Sequence, residues 1–374
     1  MPAKLTLSNP TLPPDSLVLV TGCNGLIASH AADQLLAAGY RVRGTVRNKT
    51  KCSYLKALYT SRHGPGRFEL VEIPDVGAPD AWTFAVKDVA AIATIVGGGK
   101  LDMQDADAEA AEELPWQINL LEAARREGGS VKSFVFTSSA WAAYTPDPKR
   151  GKVTLTEDTW NDEAVELSRA KSVPPQEKGM AGFMAFKTLV ERGVWEWVKR
   201  ENPPFTFNTI LLDTVMGECL DPRNQGIPST AGMVHWVWEG TRTDVLDMME
   251  PQWQVDCRDA GKLYVALLAA PDGVDRKRVF AFGERYSWFE VAKVLGEMYP
   301  ERRQQMGKPM DKGQDQSEVL PRAEAEELLR RVGQNKGWTS LEDSLRENAK
   351  SWLKLENKNG GVKDDVSHYS FFGN

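Results

Sequence analysis

The segment VTGCNGLIASH, Val20 to His30, constrains the fold of this chain more than any other. It follows a short apolar run, Ser16 to Val20, and opens a segment, 28–40, whose apolar residues recur at helical spacing and end at Gly39. Arg41 to Arg47 then reads as a second strand, so the whole forms a βαβ unit. Small residues at Gly22, Gly25 and Ala28 permit a tight strand-to-helix turn. They also let backbone N–H groups at the helix N-terminus approach a pyrophosphate. Thr21, Gly22, Asn24, Gly25, Leu26 and Ile27 are therefore candidate dinucleotide-binding residues.

Further strands are predicted at 68–73, 89–96, 133–139, 207–212 and 278–283, separated by helical stretches such as LPWQINLLEAARREG, 114–128. Such alternation predicts an α/β fold, a doubly wound parallel (Rossmann) sheet. Beyond Leu212 the alternation weakens, and loops rich in Pro, Gly and Asp lead into Trp-containing segments. That suits a smaller, mostly helical substrate lobe over the carboxyl edge of the sheet. The predicted division gives 16–212 to the dinucleotide-binding domain, with 251–283 returning to it. It gives 213–250 and 284–352 to the lobe, and 1–15 and 353–374 to terminal extensions.

Composition narrows the partners. A formal net charge of −6 argues against a nucleic-acid or anionic-membrane surface, since both need clustered cations. Cys23, Cys52, Cys219 and Cys257 show neither a CxxC pair nor a zinc spacing, and His30, His63, His235 and His368 are equally dispersed. Free thiols in a reducing compartment and no metal site are the expectation. No run reaches the roughly 18 apolar residues of a membrane span. The chain reads as a cytoplasmic enzyme for a small-molecule substrate, acting as a monomer or homodimer.

An NAD site would place an acid at the end of the second strand to hold the ribose 2′-hydroxyl. Here the sequence is GTVRNKTK, with Arg47 and Lys51 at that position. Two cations repel no phosphate and can grip a 2′-phosphate through charge-assisted bonds, which favours NADP(H). The plainer alternative is a solvated charge at a strand end.

With TGxxGxxA at 21–28, TVRN at 45–48, PDV at 74–76, NLLEAA at 119–124, FTSSA at 136–140, TEDTWND at 156–162, FKTLVERGVWEWVK at 186–199 and VDCRDAGKLYVALL at 255–268, the chain resembles the extended short-chain dehydrogenase/reductase family. Within it the likeness is to the dihydroflavonol-reductase-like and fungal aldehyde/ketone reductase branch, over about residues 16 to 352. The resemblance implies a Ser–Tyr–Lys set, in which lysine binds the nicotinamide ribose and lowers the tyrosine pKa, tyrosine moves the proton, and serine orients the carbonyl. Ser139 and Lys187 match the serine and the lysine, and Phe183 stands at the tyrosine position. The resemblance also brings Asp75, Val76, Thr137, Leu212 and Thr214 to the dinucleotide. Thr94 and the Trp116-Gln117 pair depart from the usual residues of the branch.

Phenylalanine cannot act as an acid, and losing a positioned general acid costs about 10²–10⁴ in rate. Two replacements are in view. Asp213 borders the nicotinamide by resemblance and is a candidate acid–base group, or else a helix cap or surface carboxylate. Tyr144, five residues past Ser139, is a candidate hydroxyl for the pocket, or else a loop aromatic packed on the lobe. His235, Trp236 and Trp238 suit an apolar wall for an aromatic or polycyclic ligand, but such clusters are more often lobe core. Three functions remain open: an NADP(H)-dependent reductase with a non-standard proton donor, a redox-neutral isomerase, lyase or cyclase in the same pocket, and a non-catalytic NADP(H)-binding regulator.

Overall fold

The structure is a computed structural model and describes residues 5–7, 9–99, 101, 103–174, 178, 180–270, 273–356 and 364–365. The first half of the chain forms β1 (Leu17–Val20), α1 (Leu26–Ala37), β2 (Arg41–Val46), α2 (Tyr54–His63), β3 (Phe68–Glu72), β4 (Ala91–Thr94), α3 (Ala106–Arg126), β5 (Ser133–Ser139), β6 (Thr154–Leu155), α4 (Asp162–Arg169) and α5 (Ala181–Glu201). The second half begins with β7 (Thr206–Leu212), β8 (Thr214–Met216), α6 (Pro222–Gln225), β9 (Ile227–Pro228), α7 (Ser229–Glu239), α8 (Thr243–Leu246) and β10 (Gln252–Asp256). It continues with α9 (Cys257–Ala269), β11 (Lys277–Ala281), β12 (Glu284–Tyr286), α10 (Trp288–Met298), β13 (Glu318–Val319), α11 (Arg322–Arg331), α12 (Leu341–Glu356) and β14 (Asp364–Asp365).

Seven strands make the main sheet in the order β11-β7-β5-β4-β1-β2-β3, every pair parallel. The central strands are apolar on both faces, because helices cover both. On one face α1 and α9 pack against Val18, Val20 and Val135; on the other α3 and α5 pack against Leu19, Ile92, Phe134 and Phe136. The doubly wound α/β fold expected from the alternation is what forms. Among the described residues no helix is long and apolar enough to cross a membrane.

Two element boundaries differ from the sequence reading. β10 lies outside the main sheet: it pairs with β8 and, antiparallel, with β12 in a separate three-stranded sheet. The chain rejoins the main layers only with α9 and β11, later than position 251. Helix α3 starts at Ala106 instead of 114, because the Asp105 side chain accepts the Ala108 N–H at 2.9 Å and Asp107 and Glu109 complement the helix dipole. The apolar pattern begins later, where the helix meets the sheet.

His235, Trp236 and Trp238 prove to be lobe core. All three are buried, and Trp238 packs on Trp352 and Tyr299 with ring centroids 5.6 and 5.0 Å apart. In the C-terminal extension, β14 pairs with β9. Residues 357–363 and 366–374, including His368, lie outside the described residues.

Helix α5 is locked to the sheet by a buried ion pair. Glu191, fully buried, receives Arg278 Nε at 2.9 Å and Nη2 at 3.1 Å. Its remaining lone pairs accept from Ser138 Oγ at 2.7 Å and Thr209 Oγ1 at 2.9 Å. Arg278 Nη1 donates to the carbonyls of Glu157 and Thr159, and its guanidinium lies 3.8 Å from the Trp160 ring centroid. Removing one partner of such a pair strands the other charge. Arg278→Ala is expected to lower the unfolding free energy in urea by about 3–5 kcal/mol, and Arg278→Lys to recover only part of it because the two-pronged contact is lost.

Candidate active site

The β1–α1 turn is built from backbone. Thr21 Oγ1 accepts the N–H groups of Ile95 and Val96 at 2.8 and 3.0 Å, tying the turn to the segment after β4. Gly22 has φ +65°, a conformation that favours glycine, and a Cβ there would sit tightly, 3.3 Å from Val96 Cβ. Gly25 stands at the N-cap of α1 without a capping side chain, and the first turn carries no acid. The helix N-terminus therefore keeps its positive end open toward an anion, with Asn24 exposed beside it. Leu26 and Ile27 open the helix itself. This donor set fits the pyrophosphate of a dinucleotide.

Arg47 and Lys51 follow β2 and are exposed, as are Asn48 and Asp75. Asn48 Oδ1 accepts the Lys51 N–H at 2.9 Å, and Asp75 Oδ1 accepts the Gly77 N–H at 2.8 Å, which shapes the two loops that end β2 and β3. Val76 is half-buried between them and the core. Thr137, on β5, points to the opposite helix layer, where its hydroxyl meets Tyr264 Oη at 2.6 Å.

At the carboxyl edge of the sheet, Ser139 ends β5 and Oγ accepts the Trp141 N–H at 3.2 Å. The Trp141 ring stands edge-on to Phe183, with centroids 5.8 Å apart. Lys187, one turn beyond Phe183, holds its ammonium 5.2 Å from the centroid of that ring and 4.9 Å from the centroid of Phe186. Its hydrogen bond runs to the Gly98 carbonyl at 3.1 Å. Burial pushes the ammonium below its ordinary pKa, and the Glu113 carboxylate opposes that shift. Ser139, Trp141, Phe183 and Lys187 thus form one connected face.

Tyr144 and Asp213 meet each other. Tyr144 Oη donates to Asp213 Oδ2 at 3.5 Å, a long bond, and Tyr144 packs on Phe282. Asp213 is buried and is neither a surface carboxylate nor a helix cap: it joins β7 to β8 and accepts the N–H groups of Thr214 at 2.7 Å and Trp253 at 3.3 Å. Burial raises its carboxyl to about 8, against the pull of the Thr214 N–H and with help from the negative Asp315. The same burial, with Asp213 beside it, drives the Tyr144 phenol well above the usual range. The network continues from Thr214 Oγ1, which accepts Tyr286 Oη at 2.9 Å, to Gln252 and on to Trp141 Nε1, which donates to Gln252 Oε1 at 2.8 Å. Leu212, at the end of β7, pairs in register with Ser139.

A cavity of about 150 Å³ opens on the flank of α5, walled by Trp141, Ala164, Leu167, Met180, Ala181 and Met184. Gln252 lines it too, so the cavity touches the far end of the Asp213 network. The charged groups at its rim are already engaged: Glu163 with Arg150, Glu250 with Lys312, and Lys178 with the Ser168 carbonyl. Its interior is therefore mainly apolar.

A profile of the NAD dependent epimerase/dehydratase family matches residues 18–165. Aldehyde reductase 2 of Sporidiobolus salmonicolor is 33% identical over 341 residues, covering 91% of this chain and 97% of that protein. Ketoreductase adrE of Penicillium rubens is 34% identical over 339 residues, with 90% and 96% covered. This chain belongs to the NAD dependent epimerase/dehydratase family. Another relative in the family, terH of Aspergillus terreus, named an NAD-dependent epimerase/dehydratase, is 34% identical over 346 residues, 91% of this chain and 98% of that protein. Among solved structures, yeast methylglyoxal/isovaleraldehyde reductase Gre2 complexed with NADPH aligns over 91% of this chain and 99% of its own, with a TM-score of 0.72 at 19% identity. That likeness is one of fold.

Sequence reasoning missed two parts of this candidate site. The Gly97–Gly99 run follows an expected strand, and its signal is three successive glycines, which mark a backbone held close to a neighbour. Glu113 gave no signal, because a glutamate in a helical run reads as a solvated charge. Asp213 yields a prediction with a definite sign. The unfolded chain ionises this group near 3.8, whereas the folded chain holds its proton up to about 8. Stability from this group therefore falls as pH rises through that window, by up to about 1.4 kcal/mol per pH unit, and levels off above it. Urea denaturation at stepped pH is expected to show that slope in the native protein and its loss in Asp213→Asn.

Proposed function

We propose that the chain is an NADP(H)-dependent carbonyl reductase of this family, acting on a carbonyl or hydroxyl carbon of a small metabolite with a proton source other than the usual phenol. The observation that carries the reading is the connected face Ser139–Trp141–Phe183–Lys187 at the sheet's carboxyl edge, beside an apolar cavity. The dinucleotide, when bound, supplies the hydride. The open N-terminus of α1 holds its pyrophosphate, and Arg47 with Lys51 holds the 2′-phosphate. Asp75 and Val76 border the adenine end, and Thr137, Leu212 and Thr214 the nicotinamide end. Lys187 grips the nicotinamide ribose, and the Ser139 hydroxyl orients the substrate oxygen.

In this reading Phe183 stands where the family pattern has tyrosine, and the proton comes from the Asp213–Tyr144 pair. Asp213 is the better donor of the two, since a carboxyl raised to about 8 keeps its proton at neutral pH yet releases it far more readily than the elevated phenol. A cavity of about 150 Å³ admits roughly one benzene-sized ring. An aryl or short-chain carbonyl compound fits it, while a polycyclic substrate would leave its other rings outside.

Redox-neutral isomerisation or elimination in the same pocket is the second reading, favoured by the phenyl ring at 183 itself. The deciding experiment is Phe183→Tyr assayed with NADPH and a panel of aryl aldehydes and ketones. Reduction is expected in the native protein and is expected to change by less than about tenfold in the variant, because Asp213 already supplies the proton; a rise of about 10²–10⁴ would mark a native pocket diverted from reduction. Product formation with no change at the nicotinamide absorbance band would favour the second reading instead. Separately, Arg47→Ala is expected to weaken NADPH binding by about 1.5–3 kcal/mol, roughly ten- to hundredfold, and to leave NADH binding unchanged.

A further inference from the structure

We infer that Glu113 is a positioning residue for Lys187, acting through the backbone of Gly98. The Gly98 N–H donates to Glu113 Oε2 at 2.6 Å, and the Gly98 carbonyl accepts from Lys187 Nζ at 3.1 Å. One residue of loop thus links a carboxylate to an ammonium. Behind the carboxylate the hydrogen bonds run in one direction. Thr94 Oγ1 donates to Gln117 Oε1 at 3.3 Å, and Gln117 Nε2 donates to Glu113 Oε1 at 3.1 Å and to the Val96 carbonyl at 3.3 Å. Thr94, Glu113 and Gln117 are all buried.

Two donors converge on Glu113, one on each oxygen, so the position calls for a carboxylate. An amide would turn an N–H toward one of them and lose that bond. At Gly99 the loop must also be glycine. A Cβ on Gly98 would lie 2.9 Å from Glu113 Oε2, and Gly99, at φ +102°, would bring a Cβ within 2.8 Å of both the Phe183 and Phe186 rings. On Gly97 a Cβ would stand 3.5 Å from Glu113 Oε1 and 3.6 Å from Lys187 Nζ, which shows how closely the two charges flank this loop. The groups packed on Lys187 are the Phe183 and Phe186 rings of its own helix and the glycine loop, and among the described residues Glu113 is the charge that acts on it. With no phenol at 183 to share the ammonium, its aim and its charge depend on this carboxylate.

The inference rests on reading Lys187 as the cation that grips the dinucleotide, and two measurements keep the claims apart. The first follows the Lys187 amine by NMR of ¹³C-methylated protein, its signal assigned by loss in Lys187→Arg. Glu113→Gln is expected to lower its titration midpoint by about one pH unit. An unchanged midpoint overturns the inference, including when the variant is merely less stable. The second is fluorescence titration with NADPH, where Glu113→Gln is expected to weaken binding several-fold, part of the way to Lys187→Met. Unchanged affinity in Glu113→Gln beside weakened affinity in Lys187→Met also overturns it. If Lys187→Met itself leaves NADPH affinity unchanged, the reading of Lys187 fails, and the NMR midpoint alone decides the role of Glu113. Should Glu113→Gln not fold, Gly98→Ala displaces the same carboxylate and is judged by the same midpoint.

Discussion

The contact on which the site depends is the buried pair between Glu191 on α5 and Arg278 on β11. Desolvating two charges is expensive, and the cost is offset only where every remaining lone pair and proton finds a partner. Here Ser138, Thr209 and Trp195 complete the carboxylate, while the carbonyls of Glu157 and Thr159 and the Trp160 ring complete the guanidinium. Those partners come from β5, β7, β11, α5 and the segment that precedes α4. One fully satisfied pair therefore fixes where five pieces of chain meet.

Its consequence for chemistry follows from helical geometry. Phe183, Lys187 and Glu191 are spaced four residues apart and share one face of α5. Once Glu191 is pinned to Arg278, the rotation of the helix is set, and Lys187 and Phe183 are carried to the sheet's carboxyl edge above it. From there the ammonium meets the glycine loop and the phenyl ring meets Trp141. The neighbouring face of the same helix supplies Ala181 and Met184 to the apolar cavity.

A second buried polar system lies where the lobe joins the sheet. Asp213, Thr214, Tyr144 and Tyr286 share hydrogen bonds with Gln252 and Trp253 of the small sheet, and Asp315 and Ser317 both accept or share the Trp253 indole N–H. In a medium of low polarity such groups specify one arrangement, since any other leaves a donor or acceptor unpaired. The same surroundings make the Asp213 carboxyl reluctant to ionise.

Much of this is legible in the residues themselves. The glycine turn between an apolar run and an apolar-periodic helix allowed only a βαβ start, and the strand alternation after it allowed only a parallel sheet with helices on both faces, because those patterns are local and periodic. Spacing alone put Phe183 and Lys187 on one helical face. What only the tertiary structure decided is which charges are buried and against what. Glu113, Glu191 and Arg278 sit in helices and strands where a charged residue reads as solvated, and the Trp238 cluster suits a ligand wall as well as the core that such clusters more often form. Burial and pairing are set by contacts between segments far apart in the chain, and no local pattern of side chains encodes them.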